Sequence, residues 1–241
     1  MASWVTHLII ADKVLEKISW LSKHEFCVGN IAPDCNVENE NWTRFTPPRE
    51  VTHWMTGKRK VASDCDRFYD KYIGERKQGL NSVEEKSFLL GYYAHLITDA
   101  EFQRYIRDEK RVEAVWNRIK NHAVLSEQSQ GMVENWDSVK ILINGKERMK
   151  DIYSIEKEYL EENPNSGYLT EIIELKAFPD YIEYLPVGAI VRKVATMGYI
   201  PKRETGEFLY IGMSRDEYGT FVNSATELVI DGINKKYDNI S

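Results

Sequence analysis

The 241-residue sequence has no apolar run that approaches the ~20 residues of a membrane-spanning helix. Its opening residues, MASWVTHLIIADKVLEK, are unlike a secretory signal, because they lack a basic segment and polar residues interrupt the apolar stretch. It has only three cysteines, an odd number that argues against a disulfide framework. We therefore expect a cytoplasmic protein without a transmembrane segment, with Cys27 and Cys35 serving mainly in packing.

An excess of basic residues is also missing, since 32 Lys and Arg face 38 Asp and Glu, for a formal net charge of -6. General nucleic-acid binders are usually basic, so stable nucleic-acid binding is not expected. A phosphate-bearing substrate remains compatible, because bound metal ions supply local positive charge. The composition, 42% hydrophobic and 29% charged, suffices for a full core. Since no repeat or linker marks a second domain, we predict a single domain over 1–241.

Helical periodicity dominates the chain. Capping boxes at Ser82–Glu85 and Ser214–Glu217 predict the starts of two helices. Further helical stretches are predicted at 60–76, 111–125 and 152–162 and on both sides of Pro179 and Pro186, with a loop from about Gly29 to Arg49. The predicted fold class is all-α, a multi-helix bundle, with one candidate β-hairpin near 199–211.

Five residues of metal-ligand type lie in the first hundred: His7, Asp34, His53, His95 and Asp99. The periodicity turns His7 inward, and a spacing of four places His95 and Asp99 on one helix face. Two ionisable groups stacked on a buried face are costly unless something pairs with them. A divalent cation is the simplest partner, and it would also need the other three groups. The sequence therefore predicts a metal site.

Each candidate ligand also has a plain structural interpretation. An inward histidine such as His7 is commonly a hydrogen-bonded core residue, and Asp34 in Ala-Pro-Asp can cap a turn. His53 beside Trp54 can be a packed loop residue, and His95 with Asp99 can be a plain hydrogen-bonded pair. His24 reads as exposed and His122 as structural, near the end of a predicted helix. Gly91, one turn before His95, leaves room either for an ion or for close packing of another segment.

Four motifs occur in the order found in the zinc-dependent phospholipase C / P1 nuclease family. They are Thr6-His7-Leu-Ile-Ile-Ala-Asp, Val28-Gly-Asn-Ile-Ala-Pro-Asp34, Val51-Thr-His53-Trp and Phe88-Leu-Leu-Gly-Tyr-Tyr-Ala-His95-Leu-Ile-Thr-Asp99. Over roughly its first 105 residues, and again in Tyr184–Ile190, the chain resembles uncharacterised bacterial members of this family.

The resemblance implies an all-α fold with metals bound between helices. Asp34, His53, His95 and Asp99 match the ligands of one zinc, and Asp99 bridges to a second zinc that His7 also ligates. Asp34 in addition matches the family's candidate catalytic base. One or two Zn²⁺ are therefore expected, and imidazole with carboxylate donors also suits Mn²⁺ or Fe²⁺.

The sequence departs from the family pattern in two places. In members with three zincs, the N-terminal tryptophan of the mature chain closes one site through its amine and carbonyl. Here Met1-Ala2-Ser3 precedes Trp4, so Trp4 has no free amine unless those residues are removed, and it stays a candidate metal or pocket residue. The position six residues after Asp99 is Tyr105 rather than histidine, so three metals are not expected. Trp42, Phe45 and Trp54, in predicted loops, are candidates for a pocket rim.

Three functions are compatible with these residues. The first is a zinc-dependent phosphoric ester hydrolase, a phospholipase C-like phosphodiesterase acting on a small phosphoester or a phospholipid headgroup. The second is a P1-type nuclease or nucleotidase, which the acidic net charge disfavours. The third is a non-catalytic helical module with a structural metal, which would be closed by four protein ligands and would leave His7 unused. The substrate and the oligomeric state stay open.

Overall fold

The computed structural model describes residues 2–56, 62–75, 82–201 and 209–237. Helices dominate these ranges, which confirms the all-α fold class. The helices are α1 (Trp4–Leu15), α2 (Lys23–Ile31), α3 (Arg49–Thr52), α4 (Cys65–Tyr69), α5 (Val83–Tyr105), α6 (Glu109–Lys120), α7 (Ala123–Gln128), α8 (Trp136–Leu142), α9 (Gly145–Glu162), α10 (Ala189–Met197) and α11 (Arg215–Tyr237). A 3₁₀ turn covers Ala32–Asp34, and π-helical turns cover Asp70–Gly74 and Tyr168–Ile172.

Both predicted capping boxes begin helices. The Ser82 hydroxyl accepts a hydrogen bond from the Glu85 amide at 3.1 Å, and α5 begins at Val83. At α11 the arrangement is reciprocal, since Ser214 Oγ accepts from the Glu217 amide at 3.1 Å and Glu217 Oε2 accepts from the Ser214 amide at 2.8 Å. Each bond satisfies an amide that the first helical turn leaves unpaired.

Several predicted boundaries were wrong. The loop predicted from Gly29 begins later, because α2 continues to Ile31. The helix predicted over 111–125 is broken, since His122 Nδ1 accepts from the amides of Val124 and Leu125, each at 3.2 Å, and so caps the separate helix α7. The helix predicted over 60–76 begins at Cys65 and ends in the π-helical turn, while 60, 61 and 76 lie outside the described residues.

The described hairpin lies elsewhere than expected. Strands β1 (Val37–Glu38) and β2 (Phe45–Thr46) pair antiparallel, with Val37 opposite Thr46. Of the segment near 199–211, residues 202–208 lie outside the described residues, and the described flanks contain no strand. The hairpin predicted there therefore stays a prediction.

The helices α2 and α5 cross in direct backbone contact at two glycines. A Cβ atom built on Gly91 would collide with the carbonyl oxygen of Phe26, and one on Gly29 would collide with that of Phe88. Close helix packing is therefore the reason for Gly91. Helices α1 and α11 pack alongside this pair, and the core between them includes the fully buried Leu8.

The structure also describes the three cysteines and the apolar character of the helices. Cys27 and Cys35 are buried, Cys65 is partly buried, and all three are free thiols. None of the described helices combines the length and the apolar character needed to cross a bilayer. The cytoplasmic location stays a prediction.

Candidate metal centre

The structure brings the five predicted ligands together from four elements of the fold. His7 comes from α1, Asp34 from the 3₁₀ turn after α2, His53 from the C-terminal end of α3, and His95 and Asp99 from the middle of α5. All three imidazoles are buried, with at most 1% of each residue exposed. The close contact of α2 with α5 places the 3₁₀ turn next to the α5 pair.

The donor atoms of Asp34, His53 and His95 form one compact group, and Asp99 Oδ2 lies beside it. His53 Nε2 lies 3.3 Å from His95 Nε2, 3.3 Å from Asp34 Oδ1 and 3.7 Å from Asp99 Oδ2. His95 Nε2 lies 3.9 Å from Asp99 Oδ2. Ligand atoms of a tetrahedral zinc, each 2.0–2.1 Å from the ion, lie roughly 3.3–3.4 Å from one another. The observed spacings are within about half an ångström of that geometry.

His7 and Asp99 define a second group of donors with His95. His7 Nε2 lies 3.7 Å from Asp99 Oδ1, which is too long for a hydrogen bond. Its ring stacks on that of His95 with centroids 3.9 Å apart, and neither ring nitrogen has a hydrogen-bond partner among the described residues. Buried polar groups are normally paired, so these two orphaned nitrogens fit a residue that holds a cation. Asp99 therefore faces both groups, through one oxygen each.

Hydrogen bonds behind the rings leave the inward nitrogens free. His95 Nδ1 lies 2.7 Å from the carbonyl oxygen of Asn30 and must donate to it, which leaves the lone pair on Nε2. The Thr52 hydroxyl donates to the Arg49 carbonyl at 3.3 Å, so at 2.9 Å it accepts from His53 Nδ1. Such partners orient histidines that bind metals.

Burial and the neighbouring His7 lower the pKa of His95 to about 3, which keeps this ring neutral. A neutral imidazole is the form that ligates a metal. Burial raises the pKa of Asp34, but the neighbouring His53 and His95 together outweigh burial and hold that pKa well below its usual value. Asp34 is therefore a carboxylate throughout the physiological pH range.

Arg49 is a site residue that the sequence analysis missed. Its guanidinium spans the two carboxylates, with Nη1 3.2 Å from Asp34 Oδ1 and Nη2 2.8 Å from Asp99 Oδ2. The side chain stays 25% exposed. One signal was present in the sequence, since Arg49 precedes His53 by four residues and so lies on the same face of α3.

The N-terminal residues reach the centre differently from the expectation. The indole Nε1 of Trp4 donates to Asp34 Oδ2 at 3.2 Å, so this residue contacts the cluster through its side chain. The main-chain nitrogen that lies at the cluster belongs to Ala2, which donates to Asp99 Oδ1 at 3.2 Å.

Two clefts open beside the centre, and Arg49 lines both. The large cleft, of about 1050 Å³, reaches Trp4 and Asp34, and the small cleft, of about 610 Å³, reaches His53 and Asp99. Substrate could therefore approach the candidate ligands from either side of the Arg49 guanidinium.

The three aromatic residues expected at a pocket rim are divided by the structure. Trp42 and Phe45, 48% and 36% exposed, line the large cleft. Trp54 lies in the lining of neither cleft. Its ring instead packs edge-on against Phe68 and Tyr72, with centroids 5.5 and 5.8 Å away.

Comparison with known families agrees with this geometry. The family model described as zinc dependent phospholipase C matches residues 6–101. The resemblance predicted from the four motifs is therefore confirmed over this segment, which contains all five candidate ligands. No match was found among curated proteins or among solved structures.

Proposed function

We propose that this protein is a zinc-dependent hydrolase of phosphoesters, and specifically a phospholipase C-like phosphodiesterase. One observation carries the proposal: the two oxygens of Asp99 face different imidazoles, Oδ1 that of His7 and Oδ2 those of His53 and His95, beside the small cleft. A shared carboxylate between two donor groups is the arrangement of a two-metal site that clamps both oxygens of a displacement.

The residues present fit the metal that the family match implies. His7, Asp34, His53, His95 and Asp99 would hold one or two ions, and the set of imidazole and carboxylate donors without thiolate suits Zn²⁺, with Mn²⁺ or Fe²⁺ as substitutes. When bound, zinc supplies Lewis acidity that activates water near neutral pH and stabilises charge on phosphoryl oxygens.

Asp34 and Arg49 supply the remaining chemistry. Because its lowered pKa makes Asp34 a weak base, we assign it to holding a metal and orienting the attacking water. Arg49 lies between the two clefts with a fork of N–H donors, the geometry that binds phosphate oxygens in pairs. We assign it to binding the scissile phosphate.

Two other functions remain for experiment. A P1-type nuclease or nucleotidase would use the same ligands, and the exposed Trp42 and Phe45 at the large cleft are the feature that favours it, since bases stack on aromatic rings. A purely structural metal is disfavoured by His7, which exceeds the four ligands that a closed site requires.

The test is the zinc content per chain of protein purified without added metal. We expect close to two zincs in the wild type and in the control His24→Ala, whose histidine is partly exposed and pairs with Glu171. His7→Ala should retain one. Hydrolysis of bis-p-nitrophenyl phosphate should stop on chelation and return with zinc.

Other results point elsewhere. One zinc in the wild type and in His7→Ala would make His7 a core residue and favour a single-metal or structural site. Absence of zinc from the wild type would remove the basis of the proposal.

A further inference from the structure

The lining of the small cleft is rich in cationic side chains. Besides Arg49 it includes Arg107 from the turn after α5, Lys140 from α8 and Arg148 from α9. Among its described lining residues the sole carboxylate is Asp99, which the candidate metal centre uses. The rest of the wall is largely apolar and includes Phe102, Ile106, Trp136, Met149, Ile152 and Met213.

Two of these cations are not neutralised within the described part of the chain. Arg107 Nη1 donates to the main-chain and side-chain oxygens of Gln103, at 3.1 and 2.6 Å. Arg148 Nη1 donates to the carbonyl oxygens of Lys140 and Ile143. All four acceptors are uncharged, and burial lowers the pKa of Arg148 without a carboxylate to offset it.

The Lys140 ammonium differs from its neighbours, because it already pairs with Asp137 at 2.5 Å. The positive charge that is left for a ligand in the small cleft therefore belongs chiefly to Arg107 and Arg148. A desolvated guanidinium without a counter-charge is unfavourable, and phosphate oxygens match its planar donors best.

The large cleft has a different charge balance. It contains the carboxylates of Asp34 and Glu50 and the buried acid Glu156 beside its own cations. Lys193 in this cleft is bound to Glu38 at 2.5 Å, and its ammonium lies 5.3 Å from the ring of Trp42. The aromatic face that would bind a quaternary ammonium headgroup thus already holds a cation.

We propose that the small cleft binds a second anionic group of the substrate, a phosphate monoester carried on the alcohol portion of the phosphodiester that is cleaved. This inference rests on the proposed function and narrows its substrate class to phosphodiesters that bear an additional phosphate. Arg107 and Arg148 bind that phosphate, while Arg49 faces the scissile one.

The experiment compares two chromogenic esters that differ in one group. They are thymidine 5′-(p-nitrophenyl phosphate) and the same compound with a 3′-phosphate. With the zinc-loaded enzyme we expect kcat/KM to be about tenfold higher or more for the phosphorylated ester. In Arg107→Gln and Arg148→Gln this ratio should fall toward one.

Arg104→Gln is the matched control, since it removes the same charge from the last turn of α5, three residues before Arg107. Its guanidinium pairs with Glu101 at 2.6 Å and lies outside the cleft lining, so the ratio should stay unchanged. Because Arg148 binds carbonyls at the end of α8, its variant is accepted only if its thermal midpoint matches that of wild type. Arg107→Gln by itself suffices for the test.

Calorimetric titration of the zinc-loaded proteins with thymidine 3′,5′-bisphosphate and thymidine 5′-phosphate gives a readout independent of turnover. The bisphosphate should bind at least about tenfold more tightly to wild type, and Arg107→Gln should remove the difference. Hydrolysis of both esters at equal rates, or a ratio unchanged in both variants, would overturn the inference and leave the phosphodiesterase proposal standing. If the zinc-loaded wild type cleaves bis-p-nitrophenyl phosphate but neither ester, only the inference fails. If it cleaves none of the three compounds, both proposals fail.

Discussion

The two parts of the chain on either side of residue 105 contribute to the site in different ways. Within the described residues, 2–105 carry all five candidate ligands and Arg49, whereas 106–237 carry none of the ligands. The later part instead lines the clefts, with Trp136 and Arg148 in the small cleft and Glu156 and Lys193 in the large one. All candidate ligands thus come from the first part, whereas residues of both parts build the cleft walls.

Metal ligands and cleft walls differ in how accurately their atoms must be placed. Ligand atoms must lie within a few tenths of an ångström of their places, and the backbone contact at Gly29 and Gly91 fixes the turn that carries Asp34 relative to α5. A cleft wall needs suitable shape and charge rather than such accuracy. Accordingly, a short helix and a turn, α8 and the residues around Gly212, contribute to the wall of the small cleft beside the longer helices α5 and α9.

The largest expected effect is a loss of stability from a substitution in the ligand-bearing part. Gly91→Ala should destabilise the protein by at least about 3 kcal/mol, because the added methyl group collides with the backbone of α2. This corresponds to a fall of roughly 6–12 °C in the thermal midpoint. Zinc content should fall as well, since Asn30 on α2 orients His95.

Gly219→Ala is the matched control in α11. A Cβ there meets nothing within 4 Å, so the change should stabilise the helix by up to about 1 kcal/mol. Equal midpoints for Gly91→Ala and wild type in thermal unfolding would show that the α2–α5 contact is not close.

A buried hydrogen bond between Glu156 and Thr6 links the two parts of the chain. Glu156 on α9 is buried, and its Oε1 accepts a hydrogen bond from Thr6 Oγ1 at 2.5 Å. Burial raises its pKa from 4.5 to about 7. The unfolded chain thus loses this proton near pH 4.5 and the folded chain near pH 7, so stability falls as pH rises through that window, by about 3 kcal/mol.

Glu156→Gln should remove this fall, because the amide stays neutral and still offers an oxygen to Thr6. The measurement is the difference in unfolding free energy between wild type and variant, by urea titration at pH 5 and pH 8. We expect the unfolding free energy of the variant, relative to that of the wild type, to be higher at pH 8 than at pH 5. A difference that does not change with pH would mean that Glu156 titrates as an ordinary carboxyl group.

The smallest of the three effects is a change in catalytic rate at Arg49, which lines both clefts. Arg49→Gln should lower kcat by about a hundredfold, because a charged donor to the reacting phosphate is lost. Zinc content should not fall, since Arg49 competes with a metal for Asp34 and Asp99. Arg49→Lys should recover only part of the rate, as an ammonium lacks the fork of donors.

Arg67→Gln serves as the control for Arg49, since Arg67 is exposed and lines neither cleft. Steady-state kinetics on a chromogenic phosphodiester, with zinc measured on the same samples, separates the two roles. Loss of zinc in Arg49→Gln would make this residue a structural support of the centre instead.

Local signals account for what could be predicted. The capping boxes specify the starts of α5 and α11 because they satisfy amides within one turn. The i,i+4 step specifies that His95 and Asp99 share a face. Helix α2 escaped prediction, since its nine residues carry a weak pattern and its position depends on contact with α5.

By itself the sequence determined the helical class, the five residues of ligand type and their family pattern, since each follows from residue chemistry at short spacing. The tertiary structure alone decided which atoms converge. In the fold, the Trp54 ring packs within an aromatic cluster instead of at a pocket rim. Arg49 lies between Asp34 and Asp99, and Arg107 and Arg148 line the same cleft. These contacts join residues far apart along the chain, and their free energy depends on distances that spacing along the sequence does not define.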